Sequence, residues 1–135
     1  MQTEDTRKLI HAYYEALPSG DRARLASLLA EDVEWTPPET APIEPIKGRD
    51  AVAQALGGDL PAQIFDMKTF RLDIHRILAD GDIAIVQHSI SAKTVGGAQY
   101  DNEYCWVYHC RDGVIAKIEE YADTLKASRV MGWEG

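Results

Sequence analysis

Four β-rich stretches in the second half of the chain decide the fold: KTFRLDIHRIL (68–78), IAIVQHSISAKT (83–94), YDNEYCWVYHC (100–110) and VIAKIEEYA (114–122). The turns between them carry Asp80-Gly81-Asp82, Gly96-Gly97 and Asp112-Gly113. Such turns between runs rich in β-branched and aromatic residues predict a meander of antiparallel strands. The strands are longer than average, which indicates a strongly curved sheet.

The first part of the chain carries helical patterns instead. A first helix is predicted from about Glu4 to Leu17, with Thr3 as its N-cap and an apolar stripe that recurs at helical spacing: Ile10, Tyr13, Tyr14 and Leu17. Pro18-Ser19-Gly20 ends this helix, and Asp21 caps a second one. The apolar side of that second helix consists of Leu25, Leu28 and Leu29.

Shorter elements connect the helices to the meander. We expect a strand over Val33–Thr36, a proline-rich loop over Pro37–Lys47 that could form the rim of a cavity, and a helix over Arg49–Leu56. A final short helix or tail covers Thr124–Gly135. Helices followed by an antiparallel meander indicate one α+β domain over residues 1–135, with a curved antiparallel sheet packed on the N-terminal helices.

Composition excludes several classes of function. The chain has 135 residues, 45% of them hydrophobic, and a net charge of −8, whereas nucleic-acid binding needs a basic face. No apolar run is long enough to span a membrane, and the first ten residues do not resemble a secretory signal, so we expect a cytoplasmic protein that contacts no membrane. Cys105 and Cys110 lie an odd number apart on one predicted strand, so they cannot pair locally. We expect reduced thiols, no metal site and no cofactor.

The alternation of side chains along the strands predicts which residues face the concave side of the sheet. Asn102, Tyr104, Trp106 and Tyr108 share one face of their strand, and His88 shares a largely apolar face of its own strand. A helix pair against such a sheet leaves a conical space that can hold a small molecule. Trp35 and Trp106 are expected to be core residues or pocket walls. His88 is either a core histidine with one hydrogen bond or a group facing the pocket.

Two further residues have competing interpretations. Asp123 follows the last strand, where it could cap the final helix; alternatively, a carboxylate in a partly apolar cavity has a raised pKa and can act as a general base. Tyr13 could simply pack in the core or could donate a hydrogen bond to an oxyanion on a substrate. The sequence contains no G-x-S-x-G motif of serine hydrolases, no H-E-x-x-H motif of zinc hydrolases, no Walker loop and no dinucleotide-binding fingerprint.

Several segments spread along the chain resemble one superfamily. They are AYYEAL (12–17) followed by Gly20-Asp21, LAEDVEW (29–35), GRDAV (48–52), RDGVI (111–115) and EYAD (120–123). The chain resembles nuclear-transport-factor-2-like proteins, and among them the SnoaL-like and ketosteroid-isomerase-like members. This resemblance implies a cone-shaped, cystatin-like α+β roll, and commonly a homodimer formed through the convex face of the sheet. The fold hosts isomerases, cyclases, hydrolases, dehydratases and binding proteins without activity.

The resemblance transfers only part of each catalytic set. Tyr13 matches the oxyanion donor of the ketosteroid isomerases, whose base and second donor fall near Thr36 and Trp106. Asp123 matches an aspartate of the limonene-epoxide-hydrolase-like branch, whose remaining residues fall at four positions of different chemistry: Trp35, Pro37, His88 and Ile90. Neither steroid isomerisation nor epoxide hydrolysis by those sets is therefore expected.

The SnoaL-like polyketide cyclases keep an acid/base aspartate at the end of the last strand, and Asp123 fits that pattern. The resemblance also implies that His88 points inward, within hydrogen-bond reach of Asp123. The predicted protein is an enzyme without cofactor that performs acid/base chemistry, of isomerase, cyclase or hydrolase type, on a small hydrophobic carbonyl compound. Asp123, His88 and Tyr13 are the candidate catalytic residues, and the candidate substrate-binding residues are Trp35, Asn102, Tyr104, Trp106 and Tyr108. The alternatives are a binding module without activity and a dimeric interaction domain whose cone is filled by side chains.

Overall fold

The described part of the chain contains five α-helices and six strands. The structure is a computed structural model that describes residues 1–133. The helices are α1 (Thr3–Ala16), α2 (Arg22–Ser27), α3 (Arg49–Gln54), α4 (Leu60–Ile64) and α5 (Thr124–Met131), and the strands are β1 (Leu29–Thr36), β2 (Ile46–Lys47), β3 (Phe65–Asp80), β4 (Ile83–Thr94), β5 (Gln99–Arg111) and β6 (Val114–Ala122). The predicted α+β class is confirmed.

All six strands form one sheet in the order β2-β1-β6-β5-β4-β3. Strands β3 to β6 form the predicted antiparallel meander, and β1 adds to β6 in parallel orientation. The predicted bounds of β4 and β6 agree with the structure, whereas β3 extends beyond its predicted range to Phe65–Asp80. Residues without strong β propensity continue β3 because β4 pairs with both of its ends, from Phe65–Thr94 to Asp80–Ile83, although the register shifts between Asp66 and Arg71 and again between Ile74 and Arg76.

The first helices differ from prediction at their ends. The side chain of Thr3 does not cap α1; its Oγ1 instead accepts a hydrogen bond from the Gly81 N–H (2.9 Å). Thr6 Oγ1–H donates to the carbonyl of Gly81 (2.6 Å), so the first turn of α1 holds the β3–β4 turn. Asp21 caps α2 as predicted, accepting from the Arg24 N–H (3.0 Å). Leu29, assigned to the second helix from the sequence, begins β1 instead.

The short helix at Arg49 also continues differently from prediction. Gly57 and Gly58 do not end the helical region; they lie in a kinked turn, Ala55–Asp59, which leads directly into α4. Gly58 has a φ of 143°, a backbone conformation that residues with a side chain rarely adopt. The kink therefore lets the chain turn toward β3 without a long loop.

The concave face of the sheet packs on α1, α2 and α3. The core formed there is aliphatic near β1 and β6 and aromatic along β5, and its fully buried members include Ile10, Tyr13, Val33, Val86, Tyr108, Ile115 and Ile118. A second, smaller core lies toward the other end of β4 and β5, around Phe65, Ile90, Tyr100 and Tyr104. Alternation along β4 and β5 is what directs these side chains to one face.

The convex face of the sheet carries an apolar patch. Leu78, Ile85 and Val107 are neighbours across β3, β4 and β5, and Tyr121 lies on β6 near them. Leu78 and Tyr121 are more than half exposed. We call these four residues the convex patch. None of the helices between residues 1 and 133 is long and apolar enough to cross a bilayer.

Candidate functional site

A cavity of about 120 Å³ opens at the end of the cone where the second core lies. Its wall is aromatic and aliphatic, and the aromatic members are Trp35, Phe65, Phe70, Tyr104, Trp106 and Trp133. Met131 and Trp133, which follow each other closely at the end of α5, complete the wall opposite the sheet. A cavity of about 150 Å³ with an apolar lining holds one benzene molecule. This cavity therefore suits a compact molecule of about one ring.

Glu120 is the carboxylate among the described residues of this wall. It lies on β6 opposite Trp106 of β5, on the same face as Ile118 and Ala122. The Trp35 Nε1–H donates a hydrogen bond to Glu120 Oε1 (3.2 Å). Burial raises the pKa of the Glu120 carboxyl to about 7, and the hydrogen bond from Trp35 opposes this shift. Near neutral pH the carboxyl is therefore present in both forms, as a general acid or base requires.

Glu120 also faces a groove on the outer side of the proline-rich loop. This groove, of about 610 Å³, shares the loop as a wall with the cavity, and Glu120 belongs to both. We call it the acidic groove because three further carboxylates line it: Glu39, Glu44 and Glu119. The predicted role of the loop as a rim thus agrees with its position between cavity and solvent. The acidic groove gives Glu120 a route to water and to incoming molecules.

His88 lies deep in the aromatic layer rather than on the cavity wall. It is 1% exposed, stacks on Tyr104 (5.3 Å between ring centroids) and Trp106 (6.2 Å), and meets the edge of Tyr14. Burial lowers the pKa of His88 to about 4, so the ring is neutral at physiological pH. Its Nδ1 has no hydrogen-bond partner in the described part of the chain, and neither has the buried Nε1 of Trp106.

Two pairs of tyrosine hydroxyls fill the rest of the concave face. Tyr14 and Tyr108 share a hydrogen bond of 2.6 Å, and so do Tyr100 and Tyr104. Burial raises the pKa of all four phenols, so each stays protonated and can donate. Tyr13 packs against Tyr14 and Tyr108 in the core, away from the cavity wall. The inner end of the cone is therefore closed by aromatic packing.

The side-chain amide of Asn102 forms hydrogen bonds within the fold. Its Nδ2 donates to the hydroxyl of Tyr100 (2.7 Å) and to the backbone carbonyl of Asp123 (3.0 Å), and its Oδ1 accepts from the Glu103 N–H (2.8 Å). The residue is 3% exposed. Its amide therefore ties β5 to the start of α5 and has no group left that faces a ligand.

The expected position of Asp123 is wrong. Its side chain is exposed and accepts a hydrogen bond from the Lys126 N–H (3.1 Å), so it is the N-cap of α5. Within residues 1–133 it forms no hydrogen bond with His88, and it does not line the cavity. The capping interpretation from the local sequence is the one that the structure supports, because a side chain two or three residues before a helical N–H satisfies that donor at little conformational cost.

The structure thus brings only three predicted residues to the cavity wall: Trp35, Tyr104 and Trp106. Tyr13, His88, Asn102, Tyr108 and Asp123 do not line it. Glu120 is the residue that the sequence analysis missed. Alternation could have found it, because Glu120 lies between Ile118 and Ala122 on the apolar face of β6. A carboxylate in such a position is expected to be at least partly buried, and Glu120 is half-buried in the structure.

Comparison with known proteins identifies solved structures with the same fold. An NTF2-like protein from Burkholderia xenovorans superposes with a TM-score of 0.79 at 21% identity, covering 96% of this chain and 98% of that one. A putative ketosteroid isomerase from Kribbella flavida matches at 26% identity over 89% and 78% of the two chains (TM-score 0.71). An LEH-like epoxide hydrolase from M. tuberculosis matches at 21% over 97% and 90% (TM-score 0.70).

The molecule therefore has the nuclear-transport-factor-2-like fold that the resemblance implied. Within it, the chain belongs to the SnoaL-like domain family, which matches residues 10–118. The matched segment ends just before Glu120. Membership consequently indicates the scaffold, and the chemistry must be argued from the cavity itself.

The raised pKa of Glu120 predicts a pH-dependent stability. Between about pH 4.5, the ordinary value, and about 7, the folded form holds a proton that the unfolded form has lost. The free energy of unfolding therefore falls as pH rises through this window, by about 3 kcal/mol for the full shift. Glu120→Gln removes the titrating carboxyl. The free energy of unfolding of the variant, relative to that of the wild type, should therefore increase from pH 4.5 to 7. Urea unfolding at pH 4 to 8 measures it, with Glu31→Gln on an exposed carboxylate as control. Parallel curves for Glu120→Gln and wild type would contradict a raised pKa.

The capping role of Asp123 gives a second prediction. Asp123→Ala should lower the free energy of unfolding by about 1 kcal/mol, because the Lys126 N–H loses its acceptor. Asp123→Asn keeps a side-chain oxygen and should cost clearly less. Both can be measured by urea unfolding, with ligand binding to the cavity followed in parallel. A large loss of binding in a well-folded Asp123→Asn variant would show that the residue acts on the cavity after all.

Proposed function

We propose that this chain is an acid/base enzyme for a small, mostly apolar carbonyl compound, with Glu120 as the residue that transfers the proton. The observation that supports this most directly is a carboxyl group of pKa about 7 in the wall of an otherwise apolar cavity. Glu120 takes the role that the sequence analysis gave to Asp123. The assignment rests on position and chemistry.

The proposed step is proton transfer next to the carbonyl group. Glu120 Oε1 is held by the Trp35 Nε1–H, which leaves Oε2 to accept a proton from the carbon beside the carbonyl. The electron pair of the broken C–H bond moves into the new C=C bond, and the carbonyl oxygen becomes an enolate oxygen. In a substrate with a further C=C bond conjugated to this enolate, return of the proton to the far end of that bond gives an isomer, and return to the same carbon restores the substrate.

A binding module without activity is the second candidate. Its support is the position of Tyr13, His88 and Asn102, which lie in the aromatic core and not in the cavity wall. In that case the cavity holds an apolar ligand, and the raised pKa of Glu120 is only a consequence of its burial. The third interpretation is an interaction domain whose cone is filled by side chains. It agrees with the closed inner end of the cone but does not explain the cavity at the outer end.

Hydrogen exchange into a small ketone separates the first two candidates. Cyclohexanone incubated with the protein in D₂O near neutral pH should gain deuterium beside its carbonyl, as followed by NMR. Glu120→Gln should slow this exchange at least about 100-fold, since general bases contribute about 10²–10⁴-fold. Glu31→Gln is the matched control and should exchange at the wild-type rate. Binding of cyclohexanone with equal, background exchange in both proteins would favour the binding module.

We also propose that two copies pair through the convex patch. Its apolar centre is exposed, and charged residues of both signs surround it, including Arg76, Glu103 and Lys117. A face with mixed charges can be complementary to itself in a twofold arrangement.

Substitution at the centre of the patch tests this pairing. Ile85→Glu should convert the dimer to a monomer in sedimentation experiments, because it places a charge in the apolar contact. Leu125→Glu, on an exposed apolar residue of α5, is the matched control and should leave the dimer intact. A wild-type protein that sediments as a monomer at high concentration would contradict the pairing.

A further inference from the structure

In its ionised form, Glu120 places a negative charge in the cavity wall without a positive partner. The described lining of the cavity and of the acidic groove includes no lysine, arginine or histidine, and Glu120 forms no ion pair within residues 1–133. Its hydrogen bond comes from the neutral indole of Trp35. Glu120 is half-buried, and a carboxylate that is partly withdrawn from water without a countercharge is unfavourable. A ligand that carries the missing charge would remove that penalty on binding.

The wall around this carboxyl has the composition of a cation site. The chain has three tryptophans, Trp35, Trp106 and Trp133, and all of them line the cavity together with Tyr104 and two phenylalanines. The faces of aromatic rings attract organic cations, most strongly in tryptophan, and rings grouped around a pocket recognise ammonium groups. Aromatic rings alone would suit any flat apolar ligand. Their combination with one unpaired carboxylate selects a cation.

The approach to the cavity has the same sign of charge. Glu39, Glu44 and Glu119 line the acidic groove, which meets the cavity at Glu120. The whole chain carries a net charge of −8. A cleft lined by one sign of charge raises the local concentration of the opposite ion and speeds its association. Anionic molecules are repelled along the same route.

We infer that the cavity takes a small organic cation, a protonated amine whose ammonium group lies beside Glu120 and against the tryptophan rings. This inference rests on the proposed function of the cavity as a ligand site and narrows its substrate to amine-bearing carbonyl compounds. The ammonium group also keeps Glu120 ionised, and the ionised form is the one that accepts a proton in the proposed reaction. Anionic analogues are excluded.

Benzylamine and benzyl alcohol form a matched pair of probes, because they differ only in an ammonium group in place of a hydroxyl group. Calorimetry at pH 8, where Glu120 is ionised, should show benzylamine binding at least about tenfold more tightly, which corresponds to about 1.4 kcal/mol. Glu120→Gln should abolish this preference, and Glu31→Gln should keep it. Because Gln has nearly the shape of Glu, the variant keeps the cavity.

Proton linkage gives an independent readout of the same contact. At pH 7 about half of the Glu120 carboxyls carry a proton, so benzylamine should release up to about half a proton per site on binding. Titrations in two buffers with different ionisation enthalpies measure this release. Benzyl alcohol should release no protons, because a neutral ligand displaces water from the carboxyl and this desolvation favours the protonated form.

The other outcomes each overturn the inference in a distinguishable way. Equal or tighter binding of benzyl alcohol means a neutral pocket, and the proposed function stands without the cation. Benzylamine binding that survives Glu120→Gln means attraction by the acidic surface only. If neither probe binds, the cation site is wrong, and the deuterium exchange of cyclohexanone then decides separately whether the proposed proton transfer also fails.

Discussion

An unbroken antiparallel register between β4 and β5 is the constraint on which the rest of this structure depends. Eleven consecutive residue pairs, from Ile83 and His109 to Lys93 and Gln99, leave no position at which the two faces could exchange. Alternation then sends the aromatic residues of β5 inward as one layer, and β6 continues that face with Glu120 beside Trp106. A slip by one residue would expose this layer and bury the charged residues of the convex face. The position of the candidate base thus follows from strand pairing.

The aromatic layer also decides where chemistry can occur. Tyrosine hydroxyls bond to one another in pairs, which satisfies their polar atoms without water and closes the inner end of the cone. The cavity that Glu120 lines lies at the outer end, between the layer, the proline-rich loop and the end of α5. His88 on the apolar face is part of the packing, with its ring neutral, whereas Glu120 is nearer the open end and is only half-buried. In this fold, the distance of a side chain from the open end of the cone decides, more than its residue type, whether it is a structural group or a candidate catalytic group.

Sequence patterns predicted the sheet well and the site poorly, for physical reasons. Strands β4 and β6 were predicted with their observed bounds because glycine-containing turns and alternation are local signals. The beginning of β1 was missed because Leu29 also fits the helical period, and only its parallel pairing to β6 resolves the ambiguity. For Asp123, the family resemblance implied a pocket residue, but the capping preference read from four local residues was right. Glu120 was overlooked although alternation placed it on the apolar face. The cavity itself depends on how loop 37–45 and the segment after α5 fold back, which no local pattern encodes.

The proline-rich loop has a consequence for how tightly the cavity can hold a ligand. Pro37, Pro38, Pro42 and Pro45 each have a nearly fixed φ, so this stretch has few conformations to lose. A flexible lid must be ordered each time a ligand enters, and the lost conformational entropy weakens binding. Here the wall shared by the cavity and the acidic groove is stiff before any ligand arrives, so the free energy of each contact goes largely into affinity. The same stiffness limits the range of shapes that the site accepts, because a wall that cannot adapt must match its ligand from the start.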